Sequence, residues 1–134
     1  MNNLEDSIKF WCDTMGFKIH RRMEEKGKHI DHIMGLDNVE LITVKLISFD
    51  GSILELLKFK SHPDKLKWQG YSNSTGLTHI AFTVKNLEKF YKDNMNKKLI
   101  FKAPPHISDD GKAKMTYAEG PEGILIELVE VMKT

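Results

Sequence analysis

The pattern of apolar and polar positions is organised around one stretch, Gly76-Leu77-Thr78-His79-Ile80-Ala81-Phe82-Thr83-Val84, which reads as a strand feeding a helix, with one histidine in its middle. On an extended backbone Leu77, His79, Ala81 and Thr83 share one face, and Thr78, Ile80, Phe82 and Val84 the other. The second face is the greasier one and predicts a helix packed against it. The chain supplies that helix at once, over about residues 86–96, with Leu87, Phe90, Tyr91 and Met95 on one side. His79 is then left pointing across the sheet, away from the helix.

The same patterning orders the rest of the chain. Asn3 is an N-cap candidate, and Leu4, Ile8, Trp11, Cys12 and Met15 recur at helical spacing until Gly16 ends the run. Residues 17–23 alternate as a strand. Residues 24–38 are polar around the short cluster Ile30, Ile33 and Met34, which predicts a loop with one or two helical turns. Residues 39–49 and 52–59 are strands joined at Asp50-Gly51, a hairpin signal. Residues 61–75 read as a linker. Past the central strand and helix, strands are expected near 99–103, over 112–119 and over 124–131. The breaks between them are Pro104-Pro105, Ser108-Asp109-Asp110-Gly111 and Gly120-Pro121-Glu122-Gly123.

The two halves repeat. Asn3-Leu4-Glu5 matches Asn86-Leu87-Glu88, an offset of 83 (86 less 3). Gly51-Ser52-Ile53-Leu54-Glu55-Leu56 matches Gly123-Ile124-Leu125-Ile126-Glu127-Leu128, an offset of 72 (127 less 55). The first module therefore carries about eleven extra residues between its helix and its last strand, and 24–38 is where they are expected. The counterpart of His79 would fall before Met1, so the first module is expected to lack its opening strand here. The expected organisation is one domain over 1–134, with module 1 at about 1–60, a linker at 61–75 and module 2 at about 76–134.

Composition narrows the class without naming it. A 40% apolar and 29% charged chain of 134 residues is ordinary for a globular protein. The net charge of +1 offers no basic footprint for nucleic acid. No apolar run approaches the roughly 20 residues that cross a bilayer, and the N-terminus has no signal-peptide pattern. The single cysteine, Cys12, lies on the apolar stripe of the first helix and reads as packing. These features predict a cytoplasmic protein with neither nucleic acid nor membrane as partner.

Candidate chemistry gathers on three residues. Glu55 and Glu127 each sit in the middle of a short apolar strand, flanked on their own faces by Ile53 and Leu57, and by Leu125 and Val129. A carboxylate held there loses hydration worth several kcal/mol unless a cation or hydrogen-bond donors compensate. A divalent metal with His79 as nitrogen ligand would do so. Glutamates meeting water at a sheet edge, or paired with Lys or Arg, are the plainer alternative, and their recurrence at equivalent repeat positions weighs against it. His20, His29, His32, His62 and His106 lie in polar or loop contexts and read as surface residues. His106 could also touch a ligand at a cavity mouth. Trp68 and Tyr71 read as packing between modules, with ligand contact as the alternative. No phosphate loop, nucleophile elbow or CxxC is present.

These residues carry a resemblance. The stretch from Gly76 to Val84, the helix beginning Asn86-Leu87-Glu88, and Gly120-Pro121-Glu122-Gly123-Ile124-Leu125-Ile126-Glu127-Leu128-Val129 resemble the second half of a vicinal oxygen chelate protein. That superfamily includes glyoxalase I, methylmalonyl-CoA epimerase, extradiol dioxygenases and bleomycin-resistance proteins. Residues 3–17 and 51–59 resemble its first half. The resemblance implies an α+β fold of two βαβββ modules, with curved sheets enclosing a metal-bearing cavity. It implies His79, Glu127 and Glu55 as ligands of one divalent ion (Zn, Ni, Fe, Mn or Co), and Glu127 or Glu55 as the catalytic base. The activity it implies first is a metal-dependent lyase or isomerase of the glyoxalase I type, acting on a small oxygenated substrate. A ring-cleaving dioxygenase and a non-catalytic small-molecule binder are the alternatives. A homodimer is expected, because a sheet without its opening strand leaves an edge to pair.

Overall fold

The computed structural model describes residues 1–63 and 70–133. The chain divides into two compact units, Met1–Leu66 and Lys67–Thr134. The predicted linker lies partly, and Trp68 wholly, outside the described residues. No helix is long and apolar enough to cross a membrane among the described residues.

The first unit opens with α1 (Leu4–Lys9). The Asn3 side chain caps it, its Oδ1 accepting from the Asp6 N–H at 3.1 Å, and Glu5 and Asp6 stand in the first turn where the helix dipole favours acids. The coil then widens to a π-helical turn over Phe10–Thr14. Phe10 and Phe17 pack edge-on against Trp11 at centroid distances of 5.2 and 5.6 Å, which anchors the turn in the core. Gly16, at φ +79°, supplies the left-handed residue that stops it.

Three antiparallel strands follow in the order β1 (Lys18–Lys26), β2 (Glu40–Ile47), β3 (Ile53–Phe59). The β2–β3 turn is the expected hairpin. Gly51 adopts φ +87°, and the Asp50 carboxylate accepts from the Ser52 N–H at 2.9 Å and from the Ser48 hydroxyl. The expected end of the first strand at residue 23 is corrected: Glu24, Glu25 and Lys26 continue the ladder opposite Ile42, Leu41 and Glu40. The remaining polar segment folds as α2 (Lys28–Met34), two turns closed by Gly35 in the left-handed region. Its Ile30 is buried with Val39 and Leu41, against Met34, Leu57 and Phe59.

The two faces of this sheet are thereby distinguished. Arg22 reaches Glu5 of α1 at 2.8 Å, so α1 lies on the face of Arg22, Val44 and Leu56, which are aligned across the strands. Ile30 of α2 covers one end of the opposite face, where Leu41 and Leu57 stand. Glu55 shares that opposite face, because alternate strand residues point the same way.

The second unit carries β4 (Ile80–Thr83), α3 (Leu87–Asn94), β5 (Ile100–Phe101), β6 (His106–Ile107), β7 (Ala113–Glu119) and β8 (Leu125–Val131). Its sheet order is β4-β8-β7-β5, with β6 also on β7. β4 and β8 run parallel, as a strand–helix crossover requires. Asn86 caps α3 by accepting from the Lys89 N–H at 2.9 Å, the counterpart of Asn3. Ile126 and Leu128 on β8 and Leu87 on α3 are fully buried, and the Glu130 carboxylate accepts from the Leu87 N–H at 2.9 Å. Even-numbered β8 positions therefore face α3, and Leu125, Glu127 and Val129 face the other way.

Several expected boundaries shift. The central strand is shorter than the alternation implied, so that His79 stands just ahead of β4 instead of inside it. The strand near 99–103 narrows to two residues, and His106 belongs to a short strand opposite Met115. The offset of 72 holds for both final strands: β3 and β8 each span seven residues from Ile53 and Leu125. The extra residues of the first half lie where they were expected, in the segment that holds α2.

Candidate functional site

The repeat places Glu127 at the middle of β8, on the face away from α3. Its parallel neighbour on β4 is Ala81, whose methyl group leaves that side open, and its antiparallel neighbour on β7 is Tyr117. His79, two residues before Ala81, shares its face and brings Nε2 to 3.2 Å from the Glu127 carboxylate Oε2. The Tyr117 ring meets the imidazole edge-on, 5.2 Å between centroids, and its phenol donates a hydrogen bond to the Glu127 carboxylate. Burial, then the charge of Glu127 and that hydrogen bond, raise the Tyr117 phenol above its ordinary pKa. The phenol thus stays a donor across neutral pH.

The outer nitrogen of the imidazole is held as well. Thr78 Oγ1 lies 2.8 Å from His79 Nδ1. With the Nε2 lone pair turned towards a cation, Nδ1 carries the hydrogen and Thr78 accepts it, the arrangement that orients histidine ligands. The Glu127 side chain is 18% exposed and that of His79 30%, so both are reachable yet largely stripped of water.

This pair fits a divalent cation. Metal–nitrogen and metal–oxygen bonds of about 2.0–2.2 Å at tetrahedral or octahedral angles set two donors roughly 3 Å apart. The observed 3.2 Å matches that bite. No group of three or more His, Cys, Asp or Glu side chains that could hold a metal ion is gathered among the described residues.

Glu55 occupies the equivalent position on β3, in the first unit, with a different surrounding. Its cross-strand partner on β2, the counterpart of Tyr117, is Lys45, and Lys45 Nζ lies 3.6 Å from Glu55 Oε2 with both side chains about two-fifths exposed (38% and 43%). The structure therefore brings His79 and Glu127 together, and gives Glu55 an ion pair within its own unit. His20, His29, His32, His62 and His106 are exposed, in line with a surface reading. Cys12 is half-buried, and burial pushes its thiol pKa up, away from nucleophilic use.

Tyr117 and Lys45 escaped the sequence reading. The signal that could have found them is hairpin register: counting back from the Asp50-Gly51 turn sets Lys45 opposite Glu55, and the offset of 72 carries Lys45 to Tyr117.

The family model described as Glyoxalase/Bleomycin resistance protein/Dioxygenase superfamily matches residues 1–128. No curated relative matches the chain significantly. Among solved structures, a glyoxalase family protein from Bacillus cereus is similar at 21% identity, over 99% of this chain and 89% of its own, with a TM-score of 0.88. One from Enterococcus faecalis is similar at 23% identity, over 96% and 90%, with a TM-score of 0.63. Glyoxalase I from Zea mays is similar at 18% identity and a TM-score of 0.68, over all of this chain and 43% of that longer one. At these identities the structures establish the α+β, glyoxalase-like fold.

Proposed function

The chain belongs to the Glyoxalase/Bleomycin resistance protein/Dioxygenase superfamily, and from that premise we propose that it is a metal-dependent lyase or isomerase of the glyoxalase I type. Its substrate in this reading is a small oxygenated molecule. The observation that carries the proposal is the 3.2 Å separation of His79 Nε2 and Glu127 Oε2 on a half-buried face.

In this reading His79 and Glu127 would hold the ion, and Glu55 would be the third ligand. Engaging Glu55 means releasing Lys45, which is a small demand, because a partly exposed ion pair contributes only about 0–1 kcal/mol. A bound divalent ion supplies polarisation of adjacent substrate oxygens. Glu127 acts as the base: its carboxylate takes the proton from a carbon acidified by a neighbouring carbonyl and returns it to the adjoining carbon, and Glu55 is the alternative base. Tyr117 holds the Glu127 carboxylate in place through its phenol, and Thr78 fixes the imidazole. The proposal extends to a cytoplasmic homodimer, supported by the first sheet, where β3 pairs with β2 alone among the described strands.

A non-catalytic binder is the second reading, favoured by the Lys45–Glu55 pair, which neutralises one of the three ligands without any metal. Metal content of the purified protein separates the two. Near-stoichiometric divalent metal in the native chain, lost in Glu127→Gln, supports the enzyme; a metal-free native chain supports the binder. Deuterium uptake from heavy water at carbons beside the carbonyl of small oxo compounds then tests the proton transfer. Dioxygen consumption with a catechol would place the chain with the ring-cleaving members instead.

A further inference from the structure

The face of the first sheet that bears Glu55 carries more positive than negative charge where α2 does not cover it. Across the three strands Arg21 stands opposite Lys45 and Lys45 opposite Glu55, one row on one face. In the next row Lys18 stands opposite Ile47, and Ile47 opposite Ile53. Three cations thus meet one carboxylate. Glu25 shares the face two rows away, beneath α2, where the Thr43 hydroxyl donates to it.

Like charges directly opposite across a ladder destabilise it, so the Arg21–Lys45 juxtaposition persists at a cost. By contrast, Arg22 of β1 pairs with Glu5 at 2.8 Å, and Lys60, just past β3, pairs with Glu24 at 2.9 Å. Lys45 lies 3.6 Å from Glu55, too far for a hydrogen bond, which leaves its ammonium protons free for another acceptor. Arg21 is exposed and has no ion pair among the described residues. A guanidinium fork beside an ammonium is the donor set that carboxylate and phosphate oxygens fit.

The geometry points to a binding site for an oxyanion: Arg21 and Lys45, flanked by Lys18, receive the carboxylate or phosphate group of a small molecule. Ile47 and the half-exposed Ile53 beside the row offer its carbon body an apolar contact. The link to catalysis rests on the reading of the preceding subsection. The anion competes with the Glu55 carboxylate for Lys45, whose ion pair at 3.6 Å is loose enough to exchange. The substrate class is then a small oxygenated acid or phosphate ester.

Calorimetric titration with inorganic phosphate and, separately, with propionate tests the site on metal-stripped and zinc-loaded protein. At least one anion binds, and the stronger of the two identifies the group. Arg21→Gln and Lys45→Met each weaken binding roughly tenfold or more, the effect of losing a hydrogen bond to a charged group. Lys45→Arg retains binding, and so does Lys60→Met, with thermal unfolding confirming that all four variants are folded. Absence of binding by either anion, or binding unchanged in both Arg21→Gln and Lys45→Met, overturns the site. Anion binding that depends on Arg21 and Lys45 in a protein that takes no zinc upholds the site and overturns only the metal reading.

Discussion

His79 and Glu127 meet through backbone pairing alone: parallel β4 and β8 set Ala81 beside Glu127, and the histidine two residues upstream falls on the same face at 3.2 Å. Neither residue needs an unusual conformation to reach the other, since both lie on or at the end of ordinary strands. The position opposite Glu127 on the remaining side, Tyr117, closes the group. The Glu127 carboxylate thus stands between an imidazole and a phenol, with Ala81 beside it on β4.

The phenol's pH response is one consequence. Its pKa is raised by burial first and by Glu127 next. In the metal-free protein, tyrosinate absorbance from Tyr117 should develop only above the ordinary value of about 10, and Glu127→Gln should bring it down. The folded state keeps its proton longer than the unfolded chain, so stability falls as pH rises from the unfolded value through the raised folded one. Tyr117→Phe should remove that alkaline dependence, as followed by urea unfolding across pH.

The helix caps give a second test. Asn3 and Asn86 accept from the Asp6 and Lys89 N–H groups at 3.1 and 2.9 Å. Asn3→Ala and Asn86→Ala should each cost about 1 kcal/mol of stability, because a backbone donor loses its partner. Chemical denaturation of the two variants measures this directly.

A third concerns the core that positions the site. Leu128 is fully buried on the α3 face of β8, one residue from Glu127. Leu128→Ala should destabilise by about 2–5 kcal/mol through lost burial and the cavity left behind. Denaturant unfolding reads the loss, and restoring the volume with Met should recover most of it.

How much of this the sequence made legible follows from which interactions are local. The caps at Asn3 and Asn86, the Asp50-Gly51 turn and the period-2 strand of Glu127 each depend on a few neighbouring residues. The repeat located the extra segment and paired Glu55 with Glu127, because an offset survives where boundaries blur. What stayed hidden was cross-strand partnership. Lys45 and Tyr117 stand in ordinary strand contexts, and only the register shows that one faces Glu55 and the other Glu127. Strand length was hidden for the same reason: Glu24, Glu25 and Lys26 read as loop by polarity, yet their backbones pair with β2. Edge-strand side chains can be polar when water covers them.

The central claim is that His79 and Glu127 are two ligands of one divalent ion. Zinc titration of metal-stripped protein, followed by calorimetry in the native chain and in His79→Ala and Glu127→Gln, tests it most directly. The account predicts one ion bound per chain, with affinity reduced roughly tenfold or more in each variant. Zinc binding of equal strength in all three proteins, or none in the native chain, would contradict it.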